Sequence, residues 1–145
     1  MASSGGVLIT GIKQVEDRIF NRILAEKNID AFNGAQGRIL YVLWQRDGIS
    51  QRELAAETSL AATTLTGMID RMEASGLLEK VPAPGDRRKT LLRLTAKARE
   101  LRGDYDDVSR QMDDIFYRGF TPEEAARFEA DLRRVLRNLK DREGG

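Results

Sequence analysis

Residues 50–76, SQRELAAETSLAATTLTGMIDRMEASG, decide the fold, because they read as two helices joined by a brief turn. Ser50 and Glu53 have the spacing of a capping box, in which the hydroxyl accepts the N3 amide and the carboxylate reaches back to the N-cap amide. A short helix over 50–58 is expected to turn Leu54 and Ala55 inward. After Thr58 and Ser59 a second helix is predicted over about 61–75. Its Leu65, Met68, Ile69 and Met72 mark a buried stripe, and Gly76 suits the left-handed C′ position that ends it. This is the spacing of a helix-turn-helix, whose second helix lies in the major groove with its N-terminal residues at base edges. The residues expected to face outward are Ala61, Ala62, Thr63, Thr64, Gly67 and Arg71, all small or able to hydrogen-bond. Threonine hydroxyls reach bases or phosphates, and their methyls pack on a thymine methyl. Gly67 costs the helix roughly 1 kcal/mol against alanine, which points to a close approach. The threonine pair fits ordinary helix-start chemistry equally well, and Arg71 has Asp70, Glu73 or a neighbouring helix as alternative partners.

Working outward on the C-terminal side, residues 77–81 and 90–94 read as two strands around a loop over 82–88. Pro82, Pro84 and Gly85 exclude a continuing helix there. The loop ends in a cationic tip, Asp86, Arg87, Arg88 and Lys89. An arginine on such a tip can enter the narrow, electronegative minor groove. Asp86 then serves as the anchor that orients Arg88 through a charge-assisted hydrogen bond. A solvated turn with incidental charge is the competing reading, and the helix-turn-helix directly before it weighs against that. Gln51 and Arg52, with Ser50 at the start of the preceding helix, are candidates to clamp the DNA backbone.

The flanks are helical. Ile12, Val15, Ile19, Ile23 and Leu24 line one face over 10–27, and residues 28–33 break it. Asn33 and Gln36 form a second capping box, opening a helix through Ile39, Leu40, Val42, Leu43 and Trp44 that stops at Asp47 and Gly48. Thr95 caps one further helix carrying Leu101, Tyr105, Val108, Met112 and Ile115. Thr121, Pro122 and Glu124 then open a last helix, along which Ala125, Phe128, Leu132, Val135 and Leu139 alternate three- and four-residue steps. A small domain does not bury two such seams, so dimerisation is expected, against the alternative of an antiparallel hairpin packing on itself.

Composition narrows the chemistry. The 145 residues include 24 Lys+Arg and 23 Asp+Glu, with no His and no Cys. Thiolate nucleophiles, thiol redox sensors, imidazole bases and ordinary zinc sites are therefore excluded, and neither a metal nor a cofactor is expected. The net charge of +1 is unevenly placed: residues 1–60 are neutral, 61–99 carry +4 and 100–145 carry −3. A basic centre of this kind suits a phosphate-facing module. The opening Met-Ala-Ser-Ser-Gly-Gly lacks the pattern of a signal peptide or a myristoylation site, and no apolar run approaches a membrane span. A cytoplasmic chain without membrane contact is expected.

These residues resemble the MarR family of winged-helix transcriptional regulators over nearly the whole chain. The likeness rests on Gln36 in the helix before the motif, Asp70–Glu73 closing the second helix, and Gly76, Leu77 and Leu78 entering the wing. Asp86 and Arg88 supply the wing signature, with Leu94 and Thr95 after it. No single piece is specific; their order and spacing together are. The expected fold is mainly α with a small β hairpin. A winged helix-turn-helix DNA-binding domain over 33–95 is joined to a helical dimerisation domain built from N- and C-terminal helices, 1–32 and 96–145. The resemblance implies a homodimer on a pseudo-palindromic double-stranded DNA operator, usually a repressor, released by a small aromatic or acidic effector. The effector pocket is expected where the dimer helices meet the lobes, near Phe20, Tyr41 and Trp44, although aromatics at helical spacing more often belong to a core. Ala61 departs from the Ser or Asp common at that position, leaving the cap to Ser59 or weak. Without Cys or His, any ligand control must come from an organic effector or be absent.

Two other classes remain to be weighed. A winged-helix protein-interaction module that does not read DNA would have no need of the basic tip. An enzyme would need paired carboxylates, yet Asp106 and Asp107, or Asp113 and Asp114, are helical neighbours that point about 100° apart.

Overall fold

A computed structural model of the chain describes residues 3–144, which divide into two compact units, one ending at Ser109 and one beginning at Arg110. The first unit holds α1 (Gly5–Glu26), α2 (Gly34–Gln45), β1 (Ile49–Ser50), α3 (Gln51–Thr58), α4 (Ala62–Ala74), β2 (Leu78–Ala83), β3 (Asp86–Leu94) and α5 (Ala96–Glu100). Helix α6 (Arg102–Phe116) runs from the first unit into the second, and α7 (Pro122–Gly144) lies wholly in the second. No helix among the described residues is long and apolar enough to cross a membrane.

Local chemistry accounts for the helix ends. Asn33 accepts the Gln36 amide at 2.8 Å while the Gln36 side chain accepts the Asn33 amide at 3.1 Å, closing a capping box at the start of α2. Thr121 and Glu124 make the same reciprocal pair at the start of α7. Gly76 takes φ of 79° just past α4, the left-handed position that a side chain rarely adopts. Helix α1 begins five residues earlier than position 10, and Leu8 continues the Ile12, Val15 and Ile19 face by one more turn. Asp17 ties α1 to α2 by pairing with Arg38 and also takes Lys13 at 3.0 Å. Partial burial raises the Asp17 carboxyl, but these two cations outweigh it and hold the group below the usual carboxylate range.

The sheet has three antiparallel strands, in the order β1-β3-β2, where a two-stranded hairpin was expected. Ile49 pairs with Leu92 and Ser50 with Leu91, so β1 is a two-residue strand too short to show any period. The loop expected over 82–88 is also corrected: most of it is strand, and the turn shrinks to Pro84 and Gly85. Pro82 is tolerated because β2 is an edge strand, and Gly85 at φ 77° follows Pro84 in a tight turn. The single helix expected after Thr95 is instead α5 and α6, broken at Leu101. There the Ala98 carbonyl accepts both the Leu101 amide at 3.2 Å and the Trp44 Nε1–H at 3.1 Å, which disturbs the regular helical ladder.

The core of the first unit lies between α2, α3, α4 and the sheet. Ile39, Leu40, Leu54, Leu65, Ile69 and Leu92 are essentially shut off from solvent. Each such side chain stabilises the fold by about 1.5–3 kcal/mol relative to exposure. This core sets α4 with its opposite face outward and brings the β2–β3 hairpin beside it, with Lys80 of β2 reaching Asp70 of α4. Helix α7 buries none of its residues in the single chain.

Candidate nucleic-acid interface

The Ser50 capping box forms as its spacing predicts. Its hydroxyl accepts the Glu53 amide at 3.1 Å and donates to Glu53 Oε1 at 3.0 Å. Bonds from the Ser50 amide and hydroxyl hold the Glu53 carboxyl below the usual range, with the charges of Lys89 and Arg46 adding to them. At the other end of α3, Ser59 adopts φ of 60°, and its amide donates to the Ala55 carbonyl at 2.8 Å. Ser59 therefore closes α3 and does not cap α4. Ala61 occupies the N-cap of α4 in extended conformation, and no side chain caps that end.

From this start, Ala61, Ala62, Thr63, Thr64 and Arg71 are exposed and Gly67 is half-buried, while Leu65, Met68, Ile69 and Met72 face the core. The acidic neighbours of Arg71 are engaged elsewhere: Lys80 Nζ lies 3.1 Å from Asp70 and 3.7 Å from Glu73. The Asp70 hydrogen bond and charge raise the Lys80 ammonium above its ordinary value. Arg71 instead lies back along α4, over Gly67.

The three residues expected to clamp the DNA backbone stand in different surroundings. Arg52 is exposed. The Ser50 hydroxyl is committed to its capping box, and Gln51 Nε2 donates to Thr66 Oγ1 at 2.7 Å. Thr66 Oγ1 in turn donates to the Ala62 carbonyl at 2.9 Å, so a short hydrogen-bond chain links the starts of α3 and α4. Spacing does not single out Thr66; its one signal is a threonine four residues after Ala62, placed to bond that carbonyl.

On the wing, Asp86 Oδ1 accepts the Arg88 amide at 3.0 Å and lies 3.5 Å from Arg88 Nε. The expected hydrogen bond to the guanidinium is thus corrected: Asp86 bonds the Arg88 backbone amide, and the Arg88 side chain makes only the longer ion pair and stands 95% exposed. The strand register explains the tip. Pro82 pairs with Thr90 and Ala83 with Asp86, so Arg87, Arg88 and Lys89 fall within a register shift. All three cations therefore occupy the irregular segment of β3.

The three aromatics expected near an effector meet around Tyr105, with ring centroids 5.9 Å (Phe20), 6.0 Å (Tyr41) and 5.2 Å (Trp44) away. Phe20 is buried, the Trp44 indole is held by the Ala98 carbonyl, and Tyr41 is half exposed. Two surface cavities lie elsewhere on the first unit. One of about 420 Å³ is lined by residues 27–31 with Leu101, Asp104 and Asp107. The other, about 340 Å³, lies over Val81, Pro82, Leu91 and Arg93.

Two consecutive helices with an exposed second helix, followed by an antiparallel sheet whose last hairpin carries the cations, define a winged helix-turn-helix protein. Comparison with known proteins places it more closely. Residues 32–90 match the MarR family. The multiple antibiotic resistance protein MarR of Escherichia coli is 30% identical over 132 residues, spanning 90% of each chain. The regulator TtmR of Methylorubrum extorquens is 37% identical over 68 residues, which are 47% of this chain and 35% of that one. In structure the chain is similar to a mutant Escherichia coli MarR crystallised with operator DNA. The TM-score is 0.78 at 28% identity, covering 90% of this chain and 92% of that one. The chain belongs to the MarR family.

Proposed function

We propose that this chain is a sequence-specific transcriptional regulator that binds double-stranded DNA as a homodimeric repressor. The observation that carries the reading is the pairing of an exposed, small-residue face on α4 with a wing that displays Arg87, Arg88 and Lys89. In this reading Thr63, Thr64 and Arg71 meet base edges in the major groove, and Ala61 and Ala62 let the helix backbone approach. Arg88 enters the minor groove, with Arg87 and Lys89 on flanking phosphates. Arg52 contacts the backbone, while Ser50 and Gln51 position α3 and α4 from within. The family relationship supports it, since the MarR structure to which the chain is similar holds operator DNA.

Residues 33–95 form the DNA-binding lobe in this proposal, and 1–32 with 96–145 supply the dimer helices. The exposed Val7, Leu8, Ile12 and Val15 of α1, and Leu132, Val135, Leu136 and Leu139 of α7, support it, because a second copy would cover them. Release by a small aromatic or acidic effector, and action in the cytoplasm, belong to the same proposal. A protein-interaction module would leave the cationic tip without a counterpart, so DNA reading is favoured.

Selection of duplexes from a random pool tests the function. Enrichment of one pseudo-palindromic site, with half-sites about one helical turn apart, is expected. Recovery of unenriched DNA would refute sequence-specific regulation.

A further inference from the structure

Gly67 stands in the middle of α4, where glycine weakens a helix. Nothing in the backbone asks for it there, since the glycines with positive φ are Gly48, Gly76, Gly85 and Gly119. Nor does another element press on it. A β-carbon at position 67 would meet the Arg71 side chain, at 3.4 Å from one terminal nitrogen, 3.9 Å from the other and 4.0 Å from the guanidinium carbon. The space a side chain would fill is therefore occupied by a guanidinium.

Helix geometry explains the arrangement. Side chains tilt toward the N-terminus, so Arg71 reaches back one turn over residue 67, toward the base-facing end of α4. Asp70 and Glu73 would otherwise draw it sideways, but both are engaged by Lys80 from the wing.

We infer that Gly67 is a specificity-determining residue that acts through Arg71, by leaving open the berth over position 67 that the guanidinium occupies on α4. The inference rests on the DNA-binding reading above and deepens it. From that place the guanidinium presents its fork for the bidentate contact that distinguishes guanine, through O6 and N7, from the other bases. The berth also has a size limit. An alanine β-carbon makes ordinary contact at 3.4 Å, whereas a side chain continuing past it competes with the guanidinium for the same space.

The test uses the full chain and a fluorescent duplex selected from a random pool by the wild-type protein. Affinities are measured for wild type, Gly67→Ala, Gly67→Leu, Arg71→Ala and the Gly67→Leu/Arg71→Ala pair, with each G·C pair of the half-site replaced in turn. Gly67→Ala should bind within about threefold of wild type and melt at a higher temperature, as expected for alanine in a helix. Gly67→Leu and Arg71→Ala should each weaken binding by about tenfold or more and lose discrimination at the same G·C pair. In the Arg71→Ala background, Gly67→Leu should have little further effect. An equal loss from Gly67→Leu with and without Arg71 would overturn the inference and leave DNA binding standing, because leucine would then clash with DNA directly. Unchanged discrimination in Gly67→Leu would also overturn it. A wild-type chain that enriches no duplex would overturn the DNA-binding reading itself and this inference with it.

Discussion

Helices α4 and α7 carry apolar stripes of nearly the same regularity, yet they meet opposite surroundings. In α4 the stripe Leu65, Met68, Ile69 and Met72 is buried within the first unit. In α7 Leu132, Val135, Leu136 and Leu139 are 36–64% exposed, and no residue of the helix is buried. The period of a stripe states that a face wants covering; it does not state by what. One stripe is closed by the chain's own sheet and helices, and the other is left for a second chain in the proposed dimer.

The contrast is most easily broken at α7. With Val135 and Leu139 both changed to Asp, the proposed dimer should dissociate. Sedimentation equilibrium should then give the 16.3 kDa of one chain where wild type gives twice that mass. A wild-type protein that sediments as a single chain at micromolar concentration would remove the partner from the account. At α4 the same kind of residue has a different effect: Leu65→Ala should lower stability by about 2–5 kcal/mol in a urea titration, the usual cost of emptying a closed core site. A loss below about 1 kcal/mol would mean that this stripe is not closed.

Smaller effects sharpen the comparison at the helix starts. Helix α7 has a complete capping box at Thr121 and Glu124, while α4 begins at Ala61 without one. Ala61→Ser should therefore stabilise the protein by about 0.5–2 kcal/mol, read from the same urea titration. No gain would show that the start of α4 is already satisfied.

In the second unit, the Tyr117 hydroxyl donates to Glu129. Burial first, then that bond and the Glu129 and Asp113 charges, push the phenol up to about 12. Burial, with Glu129 and Asp114, also raises the Asp113 carboxyl. The folded chain holds the Tyr117 proton longer than an unfolded one, whose phenol titrates near 10. This contribution to stability is thus complete below about pH 10 and lost by about pH 12. Tyr117→Phe should abolish the ultraviolet phenolate component centred near pH 12. Persistence of that component in the variant would assign it to another tyrosine.

Much of this was legible in the residues because the signals were local. Three capping boxes, at Asn33, Ser50 and Thr121, form where a short polar residue stands three before a Gln or Glu. The buried face of α4 and the left-handed Gly76 likewise follow from spacing alone. What escaped depends on partners distant in sequence. Strand β1 exists because β3 reaches it, and Pro82 sits in a strand because that strand is at the edge. The break at Leu101 accompanies a hydrogen bond from Trp44, more than fifty residues away, to Ala98. At the interface, the outward face of α4 and the proximity of Asp86 to Arg88 were readable, but not that Asp86 bonds the Arg88 amide in place of its guanidinium. The Gln51–Thr66 bond and the Arg71 berth were not, because each depends on side-chain direction that spacing leaves open.

The central claim is that the exposed face of α4 and the cations of the wing read DNA together. Its most direct test titrates the selected duplex with wild type and with the Arg87→Ala/Arg88→Ala/Lys89→Ala variant over rising salt. Wild type should bind at about 10⁻⁸–10⁻¹¹ M and weaken steeply as salt rises. The variant should bind more weakly by about tenfold or more, and its salt slope should be shallower by roughly 0.9 for each phosphate it no longer neutralises. Equal affinity and equal salt dependence of the two proteins would contradict the claim.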